Sequence, residues 1–125
     1  MKFHADQPLN NSVEAIGDGW VQIAGQRHSS SLVLTHTGTC EAWHLSSLEQ
    51  LQDTDLAALN TKGIELVLLG TGRRHRVVHP KHTHPLIARG VGLECMSSAA
   101  ACRTYNVLIS EGRQVLLALI LEAAD

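Results

Sequence analysis

Aromatic side chains are scarce in this chain: Phe3, Trp20, Trp43 and Tyr105 are all it has. A groove that grips single-stranded nucleic acid needs rings on which bases stack along a basic track. None of the four lies in the most basic stretch, Arg73 to Arg89, so the sequence argues against specific nucleic-acid binding. Neither sign of charge dominates. Ten basic against twelve acidic residues give a formal charge of −2, so any preference for anions must be local. Long apolar runs are missing as well. The longest, Val115 to Leu121, has seven residues, against about 20 for a helix that spans a bilayer. Met1 to Gln7 carries one lysine and no apolar core of the kind a secretory signal needs. The expectation is a soluble, cytoplasmic protein, peripheral to a membrane at most. The three cysteines, Cys40, Cys95 and Cys102, are odd in number and lack CxxC spacing. That argues against a disulfide framework and fits buried thiols acting as small hydrophobes.

What remains is 125 residues, 44% hydrophobic, enough for one substantial core and too short for two, hence a single domain over 1–125. The first third reads as short strands joined by turns. Asp18-Gly19 separates two β-compatible runs in EAIGDGWVQIAG, and Thr37-Gly38 does the same in SSSLVLTHTGTCEAWHL. From Ser46 to Asn60 the leucines at 48, 51, 56 and 59 recur at helical spacing, which predicts a helix. GIELVLLG is then a short, almost wholly apolar segment, the pattern of a strand covered on both faces. PKHTHPLIARG offers Pro80 at a helix start and Gly90 after its end, with Pro85 keeping it short or irregular. VGLECM predicts the next strand, Ser97-Ser98 the cap of a helix through AAACRTYNVLISEG, and RQVLLALI a last strand. The sum is an α/β domain of three layers: an antiparallel β layer, then a mostly parallel mixed sheet with covering helices.

In such sheets ligands collect outside the carboxyl ends of parallel strands. Gly70, Thr71 and Gly72 end one strand, and Glu94 to Ser98 end the next. Between them a helix would begin, and its unpaired N–H groups favour an anion or the Glu94 carboxylate. The candidate pocket is therefore Gly70, Thr71, Gly72, Glu94, Ser97, Ser98, Thr104, Glu111 and Arg113, with Arg113 a partner for Glu111 or Glu94. Gly-Thr-Gly lacks the lysine and the third glycine of nucleotide-binding loops, so no cofactor follows from it.

The helical wheel puts Ala101, Tyr105 and Leu108 on the buried stripe, with Ala100, Thr104 and Val107 beside it and Arg103, Asn106 and Ser110 opposite. Arg73, Arg74, Arg76, Lys81, Arg89, Arg103 and Asn106 then form a candidate partner surface. His75, His79, His82 and His84 share the same linker, but no carboxylate occurs between Glu65 and Glu94 and five basic residues do, so no metal site is assigned. There is no GxSxG elbow, and no cysteine is matched to a histidine by anything beyond proximity, so no catalytic residue is named.

LLGTG together with GVGLECMSSAAACRTYNVLISEGRQVLLALI resembles a family joining small uncharacterised bacterial and archaeal proteins to the mitochondrial complex I assembly factor three. Its pattern is a Gly-Thr-Gly turn, a Gly-Ile-Gly-Val-Glu-x-Met strand, a Thr-Tyr-Asn helix and Glu-x-Arg-x-Val-x-Ala-x-Leu. Those blocks stand here at Gly70 to Gly72, Gly90 to Met96, Thr104 to Asn106 and Glu111 to Leu119. Ser97-Ser98 replaces the family's common Asp-Thr, and the linker from Arg73 to Arg89 is richer in histidine. The resemblance implies a three-layer α/β fold whose last strand runs antiparallel to its neighbours. It also implies eukaryotic relatives that help assemble respiratory complex I by binding protein partners. Two functional expectations follow. One is a non-enzymatic protein-binding module, an assembly factor for a respiratory membrane complex. The alternative is a small-anion-binding protein or an enzyme using the strand-end pocket.

Overall fold

The computed structural model describes residues 11–123; Phe3 and the stretch from Met1 to Gln7 that bears on a secretory signal lie outside them. Strands β1 (Val13–Gly17), β2 (Trp20–Ile23) and β3 (Gln26–His28) form an antiparallel sheet in that order. Strands β4 (Leu32–Thr35) and β5 (Cys40–Ala42) make the second hairpin, around Thr37-Gly38. Then come β6 (Leu66–Gly70), α1 (Pro80–Ala88), β7 (Gly92–Met96), α2 (Ser98–Ser110) and β8 (Val115–Leu119). The central sheet runs β5-β4-β8-β6-β7.

All five residues of β8 are buried, which is why its sequence alternates nothing and reads as a continuous apolar run. Leu117 and Leu119 face α2 and the β1–β3 sheet, in a core with Leu34, Leu68 and Tyr105. Leu116, Ala118 and Ile120 face the other layer, built from α1 and the segment carrying Trp43, Leu51 and Leu56. This is the three-layer α/β arrangement read from the sequence.

Two expectations need correction. β8 is antiparallel to β4 but parallel to β6, because α2 carries the chain back over the sheet and a helical crossover returns it in its original direction. Residues 46–60 form no α-helix: a single 3-10 turn, Leu48–Gln50, is followed by turns. Local side chains compete for the backbone there. Gln50 Oε1 takes the Ser46 N–H at 2.8 Å, Asp55 takes that of Gln52 at 2.7 Å and Asn60 that of Lys62 at 3.1 Å. The leucines keep their predicted role even so, since Leu48, Leu51, Leu56 and Leu59 all pack on the sheet. The cysteines divide: Cys102 is buried, Cys95 half-buried and Cys40 exposed, all free thiols. Among the described residues no helix is long and apolar enough to cross a membrane.

Two side chains of α2 tie the layers together. Tyr105 is fully buried, and its hydroxyl sits 2.8 Å from the Asn11 carbonyl and 2.9 Å from that of Thr35. Asn106 does not face solvent; its amide accepts from Val13 N at 2.9 Å and donates to Val13 O at 2.8 Å. Replacing Tyr105 by Phe removes the shared donor and should cost about 1 kcal/mol. Urea unfolding should show a lower midpoint at unchanged slope.

Candidate functional site

β6 and β7 run side by side in register, Leu68 beside Glu94 and Gly70 beside Met96, so the glycine turn and the start of α2 do adjoin. The chain itself fills the space between them. A Cβ on Gly70 would lie 3.0 Å from Ser98 Cα and 2.8 Å from both Ser98 Oγ and Leu119 Cδ1. Ser98, only 5% exposed, accepts from Gly72 N at 2.9 Å and donates to Ile120 O at 2.6 Å. Its own N–H reaches Gly72 O at 2.8 Å. Thr71 is buried too: its N–H bonds Met96 O at 2.9 Å, and its hydroxyl donates to Arg74 O at 2.7 Å and accepts from Arg76 N at 3.2 Å. Ser97 caps α2 by accepting from Ala100 N at 3.2 Å. Gly72 has φ +111°, and a Cβ there would meet Glu122 Oε1 at 2.4 Å. That carboxylate oxygen accepts the Arg73 N–H at 2.7 Å. A cleft of about 190 Å3 remains beside Asp18, Arg73 and Glu122, smaller than the roughly 300–1,000 Å3 usual for small-molecule sites.

The nine predicted pocket residues thus separate. Gly70, Thr71, Gly72, Ser97 and Ser98 lie together at the strand end. Glu94 is exposed on the outer strand with no hydrogen bond or ion pair, and Thr104 donates to Met96 Sδ at 3.4 Å. Glu111 ends α2, and Arg113 stands at the opposite end of the sheet, bonded not to Glu111 or Glu94 but to Glu65 at 2.6 Å. That hydrogen bond, with one from Gln114 N, holds the Glu65 carboxyl below its ordinary value.

Much of the predicted partner surface is engaged internally. Arg73 pairs with Asp18 at 2.8 Å, Arg76 with Glu49, and Lys81 more loosely with Asp53 at 3.9 Å. Arg89 donates to Ala57 O and Thr61 Oγ1, and Asn106 serves β1 as described. Arg74 and Arg103 are exposed with no bonded partner for their guanidinium groups. Among the linker histidines, His79 caps α1 by accepting from Lys81 N at 3.0 Å, and His82 Nδ1 faces Asp53 at 3.4 Å. Described residues include no group of three or more His, Cys, Asp or Glu arranged to hold a metal ion. Beside these charges Val77 is 89% exposed.

A larger hollow lies elsewhere, between the β4–β5 hairpin and residues 55–64. It measures about 420 Å3 and is bordered by His36, Glu41, Trp43, His44, Asp55 and Lys62. His44 Nε2 is 3.0 Å from Asp55 Oδ1. No spacing in the sequence signals this site, because its residues come from three segments that share no motif.

Ser98→Ala leaves the buried Gly72 N–H without its acceptor and should cost about 1–3 kcal/mol in chemical denaturation. Electrostatics at the surface can be read separately. The Arg76 hydrogen bond brings the Glu49 carboxyl down to about 2. Its folded-state value is depressed, so the pair's contribution is present above about pH 4.3, the ordinary carboxyl value, and is lost as pH falls through about 2. A carbon-detected NMR titration should place the Glu49 midpoint near about 2, and in Arg76→Gln back near about 4.3.

Comparison with known proteins follows the same outline. The family model described as a protein of unknown function (DUF498/DUF598) matches residues 13–120. An uncharacterized protein of Rhodobacter capsulatus is 37% identical over 110 residues, 86% of this chain and 82% of the relative. NADH dehydrogenase (ubiquinone) 1 alpha subcomplex assembly factor 3 of Mus musculus is 30% identical over 100 residues, which are 78% of this chain but only 54% of that protein. The 13 kDa major membrane protein of Francisella tularensis is 24% identical over 94 residues, 74% of this chain and 76% of that one. A solution structure from Bordetella pertussis, described as an Mth938-like domain, superposes with TM-score 0.81 at 30% identity, covering 100% of this chain and 95% of that one. The resemblance carried by the Gly-Thr-Gly and Thr-Tyr-Asn blocks therefore holds, and the chain belongs to the DUF498/DUF598 family.

Proposed function

We infer that this protein is a non-enzymatic, single-domain binding module that helps assemble a respiratory membrane complex, working from the cytoplasmic side. One observation carries the reading. The strand-end crevice where an α/β sheet usually holds its ligand is narrowed to about 190 Å3 by the chain's own Ser98 and Glu122, while Val77, in the linker that follows β6, is 89% exposed. A single exposed aliphatic side chain is common on protein surfaces; what supports this choice is its place three residues from the unpaired Arg74 guanidinium in a linker otherwise pinned by ion pairs. The partner surface centres on Val77 and Arg74, with Arg73, Arg76, Lys81 and Arg89 holding the linker in shape. Arg103 and Asn106 lie on α2, where Asn106 supports β1. Relatives named as assembly factors support the choice of partner class, although this chain spans about half of the mouse protein, 54%.

The alternative, an anion-binding protein or enzyme at the strand end, has less behind it. The cleft there is only about 190 Å3 and the Glu122 carboxylate borders it, and burial pushes the Cys102 thiol up to about 12, far from a nucleophilic thiolate. The reading invokes no metal and no cofactor.

Tagged protein recovered from mildly solubilised native membranes should bring respiratory-complex subunits with it. Val77→Asp combined with Arg74→Glu should lower that recovery by about tenfold at an unchanged thermal midpoint. Undiminished recovery with the double variant, or no respiratory subunit with the wild type, would overturn the assignment.

A further inference from the structure

The hollow beside the β4–β5 hairpin has a structural cause. β5 is only three residues long, and residues 51–64 form turns instead of a helix that would lie flat on the sheet. The gap between them is about 420 Å3, inside the roughly 300–1,000 Å3 range of small-molecule sites. Val33 on β4 and Leu116 on β8 form its floor, Leu59 and Ile64 one wall, and the Trp43 indole, 9% exposed, borders it as well.

The polar groups are distributed unevenly. His36 follows β4, and its N–H bonds Val115 O at 3.0 Å; Glu65 N bonds Gln114 O at 2.9 Å. The segments bearing His36 and Lys62 therefore flank the start of β8 from opposite sides, at one end of the groove. His36 Nδ1 is buried without a hydrogen-bond partner. The Lys62 side chain makes no hydrogen bond or ion pair, while its N–H fixes the loop to Asn60 Oδ1 at 3.1 Å. The nearby acids are mostly committed: Asp55 to His44 and to Gln52 N, Glu65 to Arg113 and Gln114 N. Glu41, opposite Val33 on the β5 wall, is the remaining carboxylate of the lining. An ammonium and an orphaned imidazole nitrogen thus stand at one end of a trough whose floor is apolar and whose rim carries Thr35, Thr37, Thr39 and Asn60.

The geometry points to a binding site for a small organic carboxylate, its head on Lys62 and His36 and its apolar body over Val33, Leu59 and Trp43. This site is separate from the Val77 and Arg74 surface and stands or falls independently of it.

Hexanoate, hexylamine and hexanol, three probes with one body and different heads, test it by nitrogen–proton NMR on the wild-type chain. Hexanoate should shift the Trp43 indole and the Lys62 amide saturably, and bind at least about tenfold more tightly than hexanol. Lys62→Met keeps the aliphatic stem at an exposed position. It should weaken hexanoate by about tenfold or more without changing the hexanol response or the thermal midpoint. Equal binding of all three probes would reduce the groove to an apolar hollow, and tighter binding of hexylamine would make Glu41 its recognition group. Either result, the absence of any shift at Trp43, or an unaltered affinity in Lys62→Met would overturn the proposal.

Discussion

A single buried hydroxyl holds the middle of this molecule together. Ser98 receives the Gly72 N–H and gives its proton to the Ile120 carbonyl, so one side chain joins the exit of β6, the entry of α2 and the exit of β8. Groups buried this deeply are costly unless paired, and here both are paired through the same oxygen. Close approach is what makes the knot possible. Gly70 must lack a side chain because the Ser98 backbone and Leu119 occupy the place of its Cβ, and Gly72 because its φ of +111° is one that other residues rarely adopt. The glycine turn is therefore a packing device, and the Glu122 carboxylate lies against it, accepting the Arg73 N–H.

That distinction separates what could be read in the sequence from what could not. β6 and β8 were legible because burial on both faces leaves an apolar run, β7 because glycine bounds its short apolar segment, and α2 because Ser97 stands at its start and accepts the Ala100 N–H. The adjacency of the glycine turn and α2 followed from those elements. The 46–60 segment misled, since its leucines keep helical spacing while Asp55, Asn60 and Gln50 divert its backbone bonds. The helical wheel put Asn106 on the open face of α2, within the candidate partner surface, because it knows nothing of the β1 strand arriving beside α2. Arg113 fell with Glu65 and not with Glu111 because strand register, invisible in one dimension, sets which ends of the sheet meet. The groove at Trp43 was illegible for the same reason: three distant segments converge there only after the sheet has formed.

The two surfaces that emerge use charge in opposite ways. Around Arg73 to Arg89 most cations are spent on neighbouring acids and carbonyls, leaving an ordered linker from which Val77 and Arg74 project. Such exposed pairs contribute little to global stability, and their effect lies in holding the linker in one shape. Around His36 and Lys62 the neighbouring acids other than Glu41 are spent, and the Lys62 ammonium borders a hollow. One face suits a broad macromolecular contact, and the other a compact guest.

The Asn106 amide imitates a peptide group, offering Val13 both an acceptor and a donor across 93 positions of chain. β1 thereby gains a second bonded edge at Val13, with β2 on one side and the α2 side chain on the other. The two layers are thus joined by main-chain-like bonds as well as by the shared apolar core of Val13, Val21, Ile23, Leu117 and Tyr105.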